Sequence, residues 1–300
     1  MWSRLVQGGS IGGLNIYVLA LLFVTLVWGA TFPVLKVATA QLSGVETTAL
    51  RFCIAALCML PFLRGLPRHT WRDGALLGAL VLLSYVLQAY GLEFISSNRS
   101  AFLTSLNVLM VPFLAVLFGT RLTWPVLLAA LLACAGIGLM SWEGGAHLVA
   151  DAATVLSALA YALYVIVLSQ RAARHQARGL AAAQIVWMAV LGVAWMLLGS
   201  LGNDRLQTLP SRVSGEILAG LCYLGIVATS GMLFLQAVAQ RHVSASKAAL
   251  VYAMEPVFAA LFAWIMLGEG LGWRAATGGA LVVGAVVFSE MRSNAAAGSD

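Results

Sequence analysis

Long apolar segments recur along the whole chain and limit the folds that it can adopt. A membrane-spanning helix needs about 20 apolar residues to cross a hydrocarbon core of about 30 Å, because each residue advances about 1.5 Å. Backbone polar groups in lipid must be hydrogen-bonded internally, and a barrel would show shorter alternating strands, so these segments predict helices. We expect an all-α membrane protein with ten transmembrane helices, at residues 15–35, 45–63, 74–92, 100–118, 124–142, 152–170, 180–200, 217–235, 247–267 and 272–289.

The composition supports a membrane location and excludes several soluble classes. Charged residues make up 9% of the sequence, against about 25% in a typical soluble domain. The net charge of +6 is spread over short loops, so we expect the lipid bilayer, and no nucleic acid, as a partner. The four cysteines lie in the predicted spans without a metal-binding or redox motif, so we expect no metal and no cofactor.

Lysine and arginine are distributed unequally between alternate loops. If the N-terminus is cytoplasmic, eleven of these residues lie on the cytoplasmic side and five on the opposite side. Cytoplasmic loops of membrane proteins carry such an excess. We therefore expect a multi-pass protein of a bacterial-type inner membrane with both termini in the cytoplasm. A monomer is the simplest expectation for its assembly.

The sequence contains a weak internal repeat. A shift of 149 positions aligns residues 108–124 with 257–273. Each copy contains an apolar helix, a turn, and a tryptophan that begins the next helix. Ten spans divide into five per copy, and an odd number of spans makes the two copies cross the membrane in opposite directions. We predict a cytoplasmic leader at 1–14, a first five-helix repeat at 15–142, a second, inverted five-helix repeat at 152–290, and a cytoplasmic tail at 291–300.

Inverted repeats favour one functional class over others. They recur in secondary transporters, because two copies related by an in-plane axis enclose a midplane site that can open to either face. The alternative is that the duplication only built a stable helix bundle.

Short motifs in several spans resemble a known family. Their order and spacing are similar to those of the EamA family of the drug/metabolite transporter superfamily, and the resemblance covers nearly the whole chain. It implies ten helices, two inverted five-helix halves, and export or exchange of small metabolites, including amino acids. The chain departs from symmetry, because Thr120 stands opposite Glu269 and Asn107 opposite Pro256. The motifs are Trp28-Gly29, Leu50-Arg51-Phe52, Thr104-Ser105-Leu106-Asn107, Met254-Glu255-Pro256-Val257-Phe258 and Leu267-Gly268-Glu269.

Three charged residues within the spans are candidates for function. A charge at the bilayer centre costs at least about 2.5–3.5 kcal/mol, so it usually faces a cavity or a partner. Glu255 lies near the midplane and either binds a substrate ammonium or a proton, or braces the helix break before Pro256. We expect Arg51 to reach the interface or to pair with Glu46. Lys247 is expected to anchor its helix at the interface, with contact to a substrate carboxylate as the alternative.

Several spans contain pairs of polar or aromatic residues three positions apart, and the two members of each pair lie on the same helix face. Such faces predict a cavity of amide and aromatic groups, which suits a zwitterion with an apolar body. The alternative is that the amides join helices and the rings lie at the membrane interface. The predicted substrate-binding residues are Trp28, Thr31, Phe32, Tyr85, Gln88, Thr104, Asn107, Tyr161, Tyr164, Gln184, Trp187, Gln236, Lys247, Tyr252 and Glu255.

These features predict a secondary transporter that exports small amphipathic metabolites by alternating access, with large apolar or aromatic amino acids as the specific expectation. Other small metabolites or drugs are the alternative substrates. A nucleotide-binding G-x-x-x-x-G-K loop is absent from the sequence, which argues against direct use of ATP. An intramembrane enzyme would need clustered catalytic groups, whereas the spans contain only Glu46 and Glu255 as acids and no histidine. A sensor would need a sizeable extramembrane domain, and the loops are short.

Overall fold

The computed structural model describes residues 10–11, 14–95, 97–119, 122–141, 147–201, 204–267 and 272–297. A short antiparallel pair, β1 (Ser10–Ile11) and β2 (Leu14–Asn15), precedes the first helix. Outside the described residues lie the rest of the predicted leader and the last three residues of the predicted tail. Thr120 and Glu269, at which the two repeats differ in sequence, also lie outside them.

Helices account for nearly all of the described chain. Three of the long helical segments are interrupted near their middle, at residue 30, at residue 106 and at residues 253–254. A fourth contains a π-helical segment, Tyr223–Gly231. The α-helices are α1 (Ile16–Gly29), α2 (Thr31–Thr39), α3 (Gly44–Met59), α4 (Arg68–Phe94), α5 (Ser97–Ser105), α6 (Asn107–Leu117), α7 (Trp124–Ser141), α8 (Leu148–Arg171), α9 (Ala177–Gly199), α10 (Arg205–Arg212), α11 (Gly215–Cys222), α12 (Met232–Ala239), α13 (Ala245–Tyr252), α14 (Glu255–Leu267) and α15 (Trp273–Ala297).

Helical residues occupy every predicted span, and α15 continues to Ala297, into the segment predicted as the tail. Two shorter apolar helices, Trp124–Leu139 and Ala276–Phe288, fill the fifth and tenth predicted segments. Apart from the short β1–β2 pair, the described chain is helical, and the protein is a multi-pass membrane protein. Within the described residues, eight segments are long and apolar enough to cross a bilayer: Ile16–Thr39, Gly44–Phe62, Arg68–Phe94, Arg99–Leu117, Leu148–Arg174, Ala177–Gly199, Gly215–Ala239 and Ala245–Met266.

Two of the three interrupted helices break at positions that proline explains. Proline has no N–H to donate to the carbonyl four residues earlier, so the helix preceding it loses a hydrogen bond there. Pro33 stands four residues after Gly29, the last residue of α1, and Pro256 stands four residues after Tyr252, the last residue of α13. The break between α5 and α6 at Leu106 has no proline in that register. All three breaks lie within apolar segments, where freed backbone groups and side chains can face a cavity.

Serine side chains cap the N-termini of several helices and thereby determine where these helices begin. Ser43 caps α3, because the Glu46 N–H donates to its Oγ at 3.2 Å while the Ser43 N–H donates to Glu46 Oε2 at 2.7 Å. This reciprocal pair satisfies two N–H groups that the helix itself leaves unpaired. The Gly44 N–H donates to Glu93 Oε1 at 2.6 Å, so the start of α3 is fixed beside the end of α4.

Close packing of α4 against α9 depends on small residues. A Cβ at Gly78 would lie 2.7 Å from the Gln184 carbonyl oxygen and 3.0 Å from Trp187 Cβ. Backbone atoms cannot move aside as a flexible side chain can, so the two helices would have to separate. Because α4 lies in the N-terminal half and α9 in the C-terminal half, this contact joins the two halves.

Gly78→Ala should lower stability by about 1–3 kcal/mol, the usual effect of overpacking a tight interface. Gly199→Ala, in the last turn of α9, is the matched control, since a Cβ there has no atom within 4 Å. Thermal denaturation of both purified variants in detergent measures the difference. Equal midpoints for Gly78→Ala and the wild type would contradict this account of the α4–α9 contact.

Candidate functional site: a cavity among interrupted helices

A small polar cavity lies among the interrupted helices. The end of α1 and the start of α2 contribute to it, as do the end of α5 and the first residues of α6 and α14. Further side chains come from α3, α4 and α8. The lining residues are Trp28, Thr31, Leu35, Arg51, Ser84, Tyr85, Gln88, Thr104, Asn107, Tyr161 and Glu255.

The cavity is too small for a metabolite in this conformation. Its volume is about 30 Å³, which leaves room for about two water molecules. Pockets that bind small organic ligands usually measure about 300–1,000 Å³. A ligand of that kind therefore requires the surrounding helices to move apart.

Arg51 is buried in this cavity wall and bonded only to neutral oxygens. Its Nε and Nη2 atoms donate to Thr229 Oγ1 at 3.2 and 2.9 Å, and Nη2 also donates to the Leu224 carbonyl oxygen at 3.4 Å. The guanidinium carbon lies 4.8 Å from the centre of the Tyr85 ring, a distance that allows a cation–π interaction. Among the described residues, no carboxylate lies within ion-pairing distance of Arg51.

The π-helical segment presents the acceptors that Arg51 needs. The Thr229 hydroxyl donates to the Leu224 carbonyl oxygen, five residues earlier, at 2.7 Å, and its oxygen accepts from Arg51. Such wide turns are rare and often occur at functional sites. A Cβ at Gly225 would lie 2.8 Å from the Arg51 carbonyl oxygen, so the segment can approach α3 this closely only with glycine there.

The expected pairing of Arg51 with Glu46 is wrong. Glu46 instead accepts two hydrogen bonds from Arg212, at 2.7 and 2.8 Å, while also capping α3. Five residues along a helix correspond to a rotation of about 140° between the two side chains, so they point to different neighbours. The Glu46 carboxylate raises the pKa of Arg212 above its ordinary value through this bond.

Glu255 and Asn107 occupy matching places at the cavity. Each is the first residue of a half-helix, α14 and α6 respectively. The positive end of a helix dipole stabilises a negative charge at that position. In the described part of the chain, Glu255 has no lysine, arginine or histidine within ion-pairing distance, and the buried Asn107 Oδ1 has no hydrogen-bond partner.

Aromatic rings form one side of the cavity. Trp28 lies 6.1 Å from Tyr161 and 5.7 Å from Tyr252, measured between ring centres. The Trp28 Nε1 donates to the Ala228 carbonyl oxygen at 2.8 Å, which fixes the indole plane. On the other side, Gln88 Nε2 donates to Thr104 Oγ1 at 3.3 Å. The lining thus combines apolar rings with hydrogen-bonding groups.

Several predicted site residues lie outside the cavity lining. Tyr164, Gln184 and Gln236 are fully buried and bonded to one another: the Tyr164 hydroxyl donates to Gln236 Oε1 at 3.1 Å, and Gln184 Nε2 donates to the Tyr164 oxygen at 3.4 Å. Gln236 Nε2 donates to the Tyr161 hydroxyl at 3.1 Å, so this network supports a lining ring from behind.

Four further predicted residues also lie outside the lining, whereas the other eight line the cavity. Phe32 is buried among apolar residues that include Leu35. Tyr252 contacts the aromatic side but does not line the cavity, and Trp187 and Lys247 are partly buried elsewhere.

The sequence prediction missed Arg51, Ser84 and Leu35 as lining residues. The signal for Arg51 in the sequence was its position inside an apolar segment. Glu46, five residues earlier, suggested an ion pair instead of a place at the cavity.

Ion pairs join the N-terminal and C-terminal halves at both ends of the bundle. At one end, Arg99 donates two hydrogen bonds to Asp151, both 2.7 Å long, and Glu46 pairs with Arg212. At the other end, Asp73 accepts from Arg171 at 2.5 Å and from His175 Nε2 at 2.7 Å. Asp73 lies near the start of α4 and Arg99 follows its end, so the two sets are separated by the length of that helix.

A second, larger cavity lies away from the interrupted helices. It measures about 610 Å³ and lies between the α3–α4 and α8–α9 connections. Exposed arginines surround it, including Arg64, Arg174 and Arg178. It lies at the bundle end, where these helices begin and end, and shares no lining residue with the central cavity.

Comparison with known proteins agrees with this architecture. A sequence model of the EamA-like transporter family matches residues 15–142 and again residues 148–291. A protein from Archaeoglobus fulgidus named "Uncharacterized transporter" is 28% identical over 292 residues, which is 95% of this chain and 90% of that protein. A second so-named protein of the same organism is 19% identical over 289 residues, 92% of this chain and 98% of that protein.

A solved structure described as "Crystal structure of protein" shares the fold. It has a TM-score of 0.71 and 20% sequence identity, and the similarity covers 90% of this chain and 94% of that one. At this identity the likeness concerns the fold alone. Because the family model matches two successive repeats that together span nearly the whole sequence, the chain belongs to the EamA-like transporter family of the drug/metabolite transporter superfamily.

Proposed function

We propose that this membrane transporter exports small amphipathic metabolites, with large apolar or aromatic amino acids as its substrates, by alternating access at the central cavity. The observation that carries the proposal is the cavity itself, in which opposite charges, amide groups and aromatic rings meet where helices from both halves are interrupted. The names of the family and of the relatives describe transport, and we propose neither a catalytic activity nor a cofactor.

We further propose that ten helices cross the membrane as two inverted five-helix repeats, with both termini in the cytoplasm of an inner-type membrane. The packing supports this, because contacts between the halves occur in matched pairs. The third span, α4, packs against α8 and α9 of the second half. The eighth span, the π-helical segment with α12, packs in the same way against α1 and α3 of the first half. A twofold relation between the halves explains why the third span of each half packs against the first two spans of the other half.

The small cavity volume and the ion pairs at both ends of the bundle support an intermediate of an alternating-access cycle in which neither end is wide open. The cavity holds only about 30 Å³, and ion pairs join the halves at both ends of α4. Rocking of one repeat against the other would break one set of pairs while the other set holds. In the proposed orientation, the Asp73 set closes the cytoplasmic side and the Arg99–Asp151 and Glu46–Arg212 pairs close the opposite side.

The lining favours an amphipathic substrate. Trp28, Tyr85 and Tyr161 offer apolar ring surface, while Gln88, Asn107 and Thr31 offer hydrogen-bonding groups. Phosphorylated substrates would need several buried cations, whereas Arg51 is the one cation among the described lining residues.

Counterflow in proteoliposomes tests the proposed substrate class. Vesicles loaded with unlabelled phenylalanine should accumulate labelled phenylalanine, tyrosine or tryptophan, and nucleosides and sugars should give no such signal. Repeating the assay with and without a pH gradient measures proton coupling. Counterflow confined to nucleosides or sugars would show that the amino acid proposal is wrong, and other metabolites or drugs would then be the substrates.

Glu255→Gln should reduce amino acid counterflow at least about tenfold, because a hydrogen bond to a charged group contributes about 1.5–3 kcal/mol. Gln88→Ala should reduce it by a smaller factor, as expected for a neutral hydrogen bond. Glu216→Gln is the matched control, since Glu216 also lies in the first turn of a helix but is exposed. Unchanged flux in both cavity variants at normal folded yield would remove these residues from the site.

Breaking one set of ion pairs should open the cavity to one face only. A cysteine placed at Ser84, in a chain whose four native cysteines are replaced, reports access to the cavity. Asp73→Asn should increase its labelling by a membrane-impermeant thiol reagent from the cytoplasmic side, and Arg99→Gln from the opposite side. If both variants increase labelling from the same side, the ion pairs do not act as alternate closures.

A further inference from the structure

We propose that Arg51 and Glu255 bind opposite ends of one zwitterionic substrate, Arg51 the carboxylate and Glu255 the ammonium. This inference rests on the proposed function and narrows it: the substrates carry both charges, so that amines without a carboxylate and acids without an ammonium are rejected. The two residues line the same cavity, so a ligand in an enlarged form of this cavity would contact both.

Arg51 lacks the anion that its burial demands. Its side chain is 1% exposed, and a buried ammonium or guanidinium is costly unless it is paired and hydrogen-bonded. Thr229 and Leu224 accept from Nε and Nη2, and these acceptors are neutral. Among the described residues the Nη1 atom has no hydrogen-bond partner, so its N–H groups are available to a ligand.

The existing contacts of Arg51 fix its orientation for such a ligand. Thr229 holds the Nε edge, and the Tyr85 ring lies against the guanidinium at 4.8 Å. A guanidinium whose plane is held in this way presents the N–H groups of Nη1 to a carboxylate in a fixed direction. A lysine at this position would supply the charge without the planar fork.

Glu255 provides the complementary charge in the same cavity lining. Among the described residues it has no basic partner, and a buried carboxylate is costly unless a cation pairs with it, so an ammonium in the cavity would stabilise its charged form. The positive end of the α14 helix dipole acts in the same direction. Glu255 and Arg51 do not form an ion pair with each other. Both charges therefore remain available for a ligand that lies between them.

The aromatic lining completes the recognition of an α-amino acid. Trp28 and Tyr161 lie beside the cavity with their rings at an angle of 78°, and they offer apolar surface to a large side chain. A substrate with both charges satisfies both buried groups, whereas an analogue with one charge leaves the other group without its partner. Sites built around such polar contacts reject incomplete analogues strongly, by about 100-fold or more.

Competition on the wild-type protein tests the proposal without any substitution. Labelled L-phenylalanine bound to the purified full chain in nanodiscs is displaced by unlabelled L-phenylalanine, L-phenylalaninamide or 3-phenylpropionate. The amide lacks the carboxylate, and the propionate lacks the ammonium. We expect both analogues to compete at least about 100-fold more weakly than L-phenylalanine. Equal competition by either analogue would overturn the proposal for the corresponding residue.

Substitutions then assign each charge to its residue. Arg51→Gln should reduce the preference for L-phenylalanine over L-phenylalaninamide at least tenfold while retaining the discrimination against 3-phenylpropionate. Glu255→Gln should do the reverse, and Glu216→Gln should change neither ratio. If Arg51→Gln does not fold, Arg51→Lys keeps the charge and should weaken phenylalanine binding with a smaller change in the ratio.

The outcomes separate this inference from the proposed function. Counterflow of phenylalanine with analogue ratios that neither substitution moves would overturn the charge assignment and leave amino acid transport standing. Neither binding nor counterflow of any amino acid would overturn both. Crossed changes in the two ratios support the assignment of each end of the substrate.

Discussion

The burial of Arg51 without an acidic partner is the constraint on which the rest of the site depends. A guanidinium inside an apolar bundle needs hydrogen-bond acceptors, and the π-helical segment supplies them through Thr229 and Leu224. Gly225 lets this segment approach α3 closely enough for those bonds to form. Since α3 belongs to the first repeat and the π-helical segment to the second, the same contact ties the repeats together beside the cavity.

The cavity and the ends of the bundle are linked by this arrangement. Half-helices that start at Asn107 and Glu255 direct their positive ends towards the centre, while ion pairs such as Arg99–Asp151 join the repeats far from it. A cavity of about 30 Å³ can accept a metabolite only if one end opens. Binding and opening are therefore coupled, because a ligand stabilises whichever arrangement gives it more contacts.

Sequence patterns predicted the helices better than the site. The length of each apolar segment determines a helix, and residues such as Tyr85 and Gln88, which share a face, do line one cavity. Spacing indicates which residues share a face but not what that face meets, and for this reason Gln184 and Gln236 belong to a buried network instead. Arg51 was misassigned because its partner, Thr229, lies 178 residues away.

An experimental structure of the protein in nanodiscs with L-phenylalanine bound tests the central claim most directly. The account predicts an enlarged cavity that contains the amino acid, with its carboxylate against Arg51, its ammonium against Glu255, and its ring between Trp28 and Tyr161. Phenylalanine bound elsewhere, or in the cavity with its charged groups away from both residues, would contradict it.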